Sequence, residues 1–218
     1  MNIIEIIENR TKTCADKTAI FFRDQKITFR QLQDTSYKLA DALKDLSLKP
    51  KDKVAVYLPN CPHYLFSYLA VWVSGATIVP LDFMLTTDEL ISCISHCEAK
   101  IAIIKSKANI DLDQIKKSCP FLKEIILFQD KKEVYLLLED LILQAEPNKP
   151  NVKINDKDYA TIFYTSGTTG KPKGVLINYR KLEASPRAME YFAGLNESDL
   201  ALCALPFYIL VGLCSYRQ

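Results

Sequence analysis

The chain has almost no charge excess. Its 28 basic and 26 acidic residues leave a formal charge of +2, too weak a field to draw a polyanion, so a DNA or RNA partner is not expected. Paired cysteine is missing as well. Seven cysteines, an odd number scattered from Cys14 to Cys214, do not read as the framework of a disulfide-stapled secreted domain. Nor does a basic start lead into an uninterrupted apolar run, because Glu5 and Glu8 sit among the first isoleucines, and a signal peptide is not expected. These absences point to a reducing, cytoplasmic setting. Long uncharged runs are few. Residues 61–81 lack Asp, Glu, Lys and Arg and match the roughly 20 residues of a spanning helix. Gly75, however, divides a helix-like part (64–74) from the β-branched run Thr77, Ile78, Val79, and Pro80 follows, as in a buried helix turning into a buried strand. A second uncharged run, 201–216, is broken by Pro206 and Gly212. A transmembrane segment is therefore not expected, while a peripheral membrane contact is left open. No internal repeat or low-complexity tract stands out.

What is present suits a globular chain: 218 residues, 49% hydrophobic and 25% charged, can bury a sizeable core as one large domain or two small ones. A short helix is predicted near 2–10, followed by a hairpin whose strands, 19–22 and 27–29, are joined by the polar turn 23–26. Leu32, Leu39, Ala42, Leu43 and Leu46 repeat at helical spacing over 30–46, and Thr28 is a cap for that helix. A buried strand at 54–58 ends at Pro59. The run Thr87, Asp88, Glu89 opens a helix through about Cys97, with Thr87 as its cap and acids in the first turn that complement the helix dipole. Strands at 101–104 and 124–128 and a helix at 134–144 continue the alternation. Strands separated by helices imply an α/β fold with a mainly parallel sheet flanked by helices. Residues 146–158, rich in Pro, Asn and charge, are the expected linker between a sublobe of about 1–145 and a portion spanning 159–218.

Glycine is scarce, 6 in 218 residues, where about 7% is usual. Yet Gly167, Gly170 and Gly174 fall together in 164–174, which reads Tyr-Thr-Ser-Gly-Thr-Thr-Gly-Lys-Pro-Lys-Gly between strand-like runs 160–163 and 175–177. Glycines permit close backbone approach; the hydroxyls of Thr165, Ser166, Thr168 and Thr169 add donors, and Lys171 and Lys173 add positive charge. Together they suit a polyphosphate, with ATP the natural guest. A long hairpin connection also draws on Gly, Ser, Thr and Pro, but the order of residues here favours a phosphate loop. A Walker A loop is excluded, because Pro172 follows Gly170 and Lys171 where that motif needs Ser or Thr.

This stretch, continued by Val175, resembles the signature of the adenylate-forming superfamily, which groups acyl-CoA synthetases, peptide-synthetase adenylation domains and luciferases. Residues 53–82 and 86–104 are similar to the family's front region, so the likeness covers nearly the whole chain, most like the acyl-CoA synthetases that act on fatty or aryl acids. Asn178-Tyr179-Arg180 and Leu205-Pro206-Phe207-Tyr208 stand where the family often shows Thr-His-Arg and Leu-Pro-x-(Phe/Tyr)-His; Tyr179 and Ile209 depart from the usual histidines, and the second departure removes the histidine that often lies by the acyl pocket in relatives. The resemblance implies a partial N-terminal AMP-binding domain. It implies a carboxylate that attacks the α-phosphorus of Mg-ATP, giving acyl-AMP and pyrophosphate, and then CoA, whose thiol displaces AMP. The residues implied to hold nucleotide are Thr165, Ser166, Gly167, Thr168, Thr169, Gly170 and Lys173, with Lys173 the catalytic cation on the β- and γ-phosphates and Thr165 the oxygen ligand of Mg2+. The family's adenine and ribose segments, hinge and C-terminal lobe with its lysine do not occur before Gln218, so a chain inactive without a further C-terminal part is expected. A non-catalytic nucleotide-binding or assembly fragment, or a piece of a peptide-synthetase adenylation domain, are the alternatives.

Other chemistry-bearing residues read as structure. Cys93, His96 and Cys97 share a helical face, but three ligands in one helix lack the second pair of a structural zinc site. His63 has no nucleophile at a recognised spacing. Trp72, Tyr64, Phe66 and Tyr68 fit a buried helix.

Overall fold

The computed structural model describes residues 3–165, 173–182 and 199–209. Helix α1 (Ile3–Cys14) leads into a hairpin of β1 (Thr18–Phe22) and β2 (Gln25–Thr28), then α2 (Phe29–Asp45), β3 (Lys53–Tyr57), α3 (Pro62–Val73), β4 (Thr77–Pro80), α4 (Thr87–Cys97) and β5 (Ile101–Ile104). After these come α5 (Leu112–Ser118), β6 (Glu124–Leu127), β7 (Leu136–Leu137), α6 (Leu138–Gln144), β8 (Tyr159–Thr165) and β9 (Lys173–Asn178). Seven strands form one sheet in the order β7-β6-β5-β3-β4-β8-β9, parallel throughout except for β9, which runs antiparallel to β8 at the edge.

The sheet lies between two helical layers because its strands are apolar on both faces, as parallel strands must be when crossover helices cover them. Val54, Val56, Ile78, Ile101 and Ile103 pack against the layer that contains α2 and α3. Ala55, Tyr57, Val79, Ala102 and Ile104 pack against α4 and α5, through Leu90, Cys93, Ile94, Cys97 and Ile115. At the sharp passage from α3 to β4, Gly75 has φ +66°, a conformation that a Cβ disfavours, and a Cβ there would come 2.8 Å from Val152 Cγ1. Trp72 Nε1 donates to the Ala160 carbonyl at 3.1 Å and Thr77 Oγ1 to the Tyr159 carbonyl at 2.7 Å, so α3 and β4 together fix where β8 begins. Among the described residues no helix is long and apolar enough to cross a membrane; residues 61–81 are α3, Gly75 and β4, buried inside the domain.

Several local expectations shift. The hairpin turn tightens to Arg23 and Asp24, with Arg23 at φ 53°, and Gln25 and Lys26 join β2. The cap of α4 is Thr86 rather than Thr87: its side chain accepts from the Glu89 amide at 3.4 Å while Glu89 Oε2 accepts from the Thr86 amide at 2.8 Å. This reciprocal capping box requires the glutamate at the third helical position. The helix expected over 134–144 begins only at Leu138, because Leu136 and Leu137 pair in parallel with Ile126 and Leu127 and occupy an edge that β6 would otherwise leave open. Helix α1 runs on to Cys14, and Thr11 and Thr13 return their hydroxyls to the carbonyls of Ile7 and Asn9, both at 3.0 Å. Helix α5 carried too short an apolar pattern to be anticipated.

Candidate functional site

Because β8 is parallel to β4, its last residue, Thr165, emerges at the carboxyl edge of the sheet, and β9 returns from the same edge at Lys173. The two residues face each other as a registered pair, and both side chains are exposed. The two stems, Thr165 and Lys173, thus both stand at the carboxyl edge. Adjacent strands β3 and β4 also send their chains into opposite helical layers, α3 into one and α4 into the other. A crevice outside the carboxyl ends of strands at such a reversal is where open α/β sheets take ligands. Of the expected nucleotide-holding residues, the structure places Thr165 and Lys173; Ser166, Gly167, Thr168, Thr169, Gly170 and also Lys171 lie outside the described residues.

The reversal itself is occupied by residues 205–208. Asn60, just after β3, donates from Nδ2 to the Leu205 carbonyl and accepts on Oδ1 from the Phe207 amide, both at 2.9 Å. The Tyr68 hydroxyl donates to the Phe207 carbonyl at 2.9 Å. Burial and a hydrogen bond to Asp82, just after β4, raise the Tyr208 hydroxyl above its ordinary pKa. A segment distant in sequence, up to 147 positions from Asn60, is therefore pinned to the ends of β3 and β4. Sequence reasoning missed Asn60, whose signal was only its place between a strand end and the proline at the first position of α3. Ile209 is partly exposed next to this pinned segment.

At the base of the loop, Tyr164 stands opposite Gly174. A Cβ on Gly174 would lie 3.0 Å from Ile162 Cγ2 and 3.7 Å from Tyr164 Cε1, so the glycine leaves room for two side chains of β8. The Tyr164 hydroxyl lies 2.6 Å from His96 Nδ1 and 3.3 Å from the Cys93 carbonyl. Beneath His96, burial pushes the Cys93 and Cys97 thiols up to about 12 and about 11, which makes them poor thiolates. His63 lies among the rings of Phe66 and Phe128, at centroid separations of 5.4 and 4.7 Å, and burial lowers its pKa. Tyr179 is buried, and its hydroxyl reaches the carbonyls of Trp72 at 3.0 Å and Ala76 at 2.9 Å, tying the strand after the loop to the C-terminal end of α3.

A family model described as AMP-binding enzyme matches residues 7–216. The chain belongs to the AMP-binding enzyme family. Among its relatives, a 4-hydroxybutyrate–CoA ligase of Metallosphaera sedula is 28% identical over 93% of this chain and 38% of the relative. A 2-succinylbenzoate–CoA ligase of Bacillus licheniformis is 32% identical over 95% of this chain and 40% of the relative. The crystal structure of an anthranilate CoA ligase in complex with anthranoyl-AMP superposes with a TM-score of 0.87 at 24% identity, over 95% of this chain and 40% of that one, which shows that the AMP-binding fold is shared. The chain thus spans about two fifths of the length of these relatives.

Proposed function

We propose that this chain forms the triphosphate-holding part of an ATP-dependent carboxylic acid:CoA ligase working in the cytoplasm. The observation that carries the reading is the rooting of a loop rich in glycine, hydroxyl and lysine residues at Thr165 and Lys173, on the carboxyl edge beside the β3–β4 reversal. On this reading residues of about 1–145 form a supporting sublobe, 146–158 a linker and 159–218 the portion that carries the loop. Membership in the AMP-binding enzyme family and the printed activities of the relatives support it.

The roles follow from charge. Attack of a substrate carboxylate on the α-phosphorus of ATP forms acyl-AMP and releases pyrophosphate, and negative charge grows on the departing phosphates. Lys173 supplies an ammonium there, and the backbone amides and hydroxyls of Ser166, Thr168 and Thr169 supply donors, so the leaving group is stabilised where its charge develops. The group expected with the nucleotide is Mg2+. Thr165 offers it a hard hydroxyl oxygen, and among the described residues no cluster of His, Cys, Asp and Glu competes for a metal. One protein oxygen fits an ion that usually keeps several waters and shares its remaining contacts with phosphates. When bound, Mg2+ would neutralise phosphate charge. CoA thiol then displaces AMP from the acyl group; a carrier-bound thiol, as in peptide-synthetase adenylation domains, would use the same chemistry.

Calorimetric titration of the full chain with Mg-ATP and with tripolyphosphate tests the proposal. Lys173→Ala should weaken both by about tenfold or more, the worth of a charge-assisted hydrogen bond. Equal affinity in the two proteins removes the role of Lys173. Binding without ATP–pyrophosphate exchange in the presence of carboxylic acids would favour a nucleotide-binding fragment over a ligase.

A further inference from the structure

Beyond its pairing with β9, the last part of β8 has little sheet to lean on. Its registered partner on β4 is Ile78, opposite Thr161, whereas β8 runs on to Thr165. Strand β9 pairs with it up to Thr165 but is itself the sheet edge, with Lys173 to Leu176 exposed. The tie from this stem to the helical layer is Tyr164, one residue before Thr165. Its ring packs with the α4–α5 side of the sheet, room is left for it by Gly174 across the hairpin, and its hydroxyl meets His96 Nδ1 on the last turn of α4 at 2.6 Å. The two rings meet edge to face at 5.7 Å and 72°.

The contact is chemically surplus to the needs of Tyr164. A single partner satisfies a partly buried phenol, and the Cys93 carbonyl is already within 3.3 Å. Two proton arrangements accommodate the pair: the phenol donates to a neutral Nδ1, or Nδ1–H donates to the phenol oxygen while the hydroxyl turns to Cys93. Helix α4, in turn, is firmly seated by its capping box and by Leu90, Cys93, Ile94 and Cys97 in the core.

We propose that His96 is a positioning residue for the phosphate loop: through Tyr164 it ties the end of β8 to α4 and so sets where Thr165 and Lys173 stand. This rests on the phosphate-holding role proposed above. Loosening the stem spreads the two residues over positions of which a fraction is competent, and the apparent affinity for a polyphosphate falls by that fraction.

The test uses the full chain with His96→Ala, Tyr164→Phe, the double variant and His96→Asn, whose amide can replace Nδ1. Hydrogen exchange at the Thr165 and Lys173 amides is measured without ligand, alongside calorimetric affinity for tripolyphosphate and the thermal midpoint. Expected are exchange about tenfold faster and affinity about threefold to tenfold weaker in each single variant. The double variant should be no worse than either single one, recovery should be substantial in His96→Asn, and the thermal midpoint should stay close to that of the parent. Unchanged exchange and affinity in His96→Ala overturn the proposal, as does an effect that His96→Asn does not relieve or that merely follows a lowered midpoint. If the parent chain binds tripolyphosphate and His96→Ala binds it equally well, only the role of His96 falls. If the parent binds neither tripolyphosphate nor Mg-ATP, the phosphate-holding role falls and takes the proposal with it.

Discussion

The middle of the sheet and its β8–β9 end are made to different specifications. In β3, β4 and β5 nearly every side chain is fully buried, and the strands are pressed between helices on both faces. In β9 the first four residues are exposed, including Val175 and Leu176, and the hairpin joins the rest through the buried middle of β8, residues 160–163, and through a few directed contacts: Trp72 to Ala160, Thr77 to Tyr159, Tyr179 to α3, and Tyr164 to α4. Rigidity therefore comes from the centre, and the proposed phosphate loop is rooted at the margin. At the margin directional side-chain hydrogen bonds add to the packing of β8 and leave β9 uncovered, whereas the centre is packed on both faces.

The contrast can be broken at its junction. Trp72→Ala removes a buried ring and the bond to β8, and a loss of about 3–5 kcal/mol of stability is expected, read as the shift of the urea midpoint; a loss below about 1 kcal/mol would show that the centre does not depend on this tie. Gly75→Ala should cost roughly 1–3 kcal/mol, since it combines a left-handed backbone with a Cβ at 2.8 Å from Val152. A fully tolerated alanine there would mean that the turn into β4 relaxes.

Acidification sharpens the comparison more gently. Burial depresses the pKa of His63 from its ordinary 6.5, so in the folded state the ring resists the proton that the unfolded chain accepts. Its contribution is intact above about pH 6.5 and is lost as pH falls toward the folded value, by at most about 1.4 kcal/mol per pH unit. Denaturation of the parent and His63→Phe at pH 7.5 and 5.5 should show the smaller acid loss in the variant, and parallel losses would remove His63 from the account. The smallest effect is expected at the edge, where Val175→Thr should change stability by no more than about 0.5 kcal/mol; a large loss would show that β9 is packed like the centre.

Much of this was legible in the residues because it depends on local rules. The β-branched runs of β3 to β5, the period of α2 with its Thr28 cap, and the break at Gly75 are each written within a dozen positions. So is the phosphate-loop pattern, whose order of glycines, hydroxyls and lysines identifies the family. The cap of α4 was misplaced by one residue because two threonines compete and only the reach of Glu89 back to Thr86 decides between them. The two-residue β7 was invisible, since its stability comes from pairing with β6 and not from its own sequence.

Sequence alone determined the α/β class, the parallel sheet and the glycine- and hydroxyl-rich motif that marks the family, because periodicity, capping and glycine placement act between near neighbours. Tertiary structure alone decided that β8 and β9 flank the β4 side of the sheet, that Asn60 grips residues 205 and 207, and that His96 meets Tyr164 at the foot of the loop. Those contacts join residues from 68 to 147 positions apart. Packing of the whole domain fixes them, and no local preference of the chain encodes them.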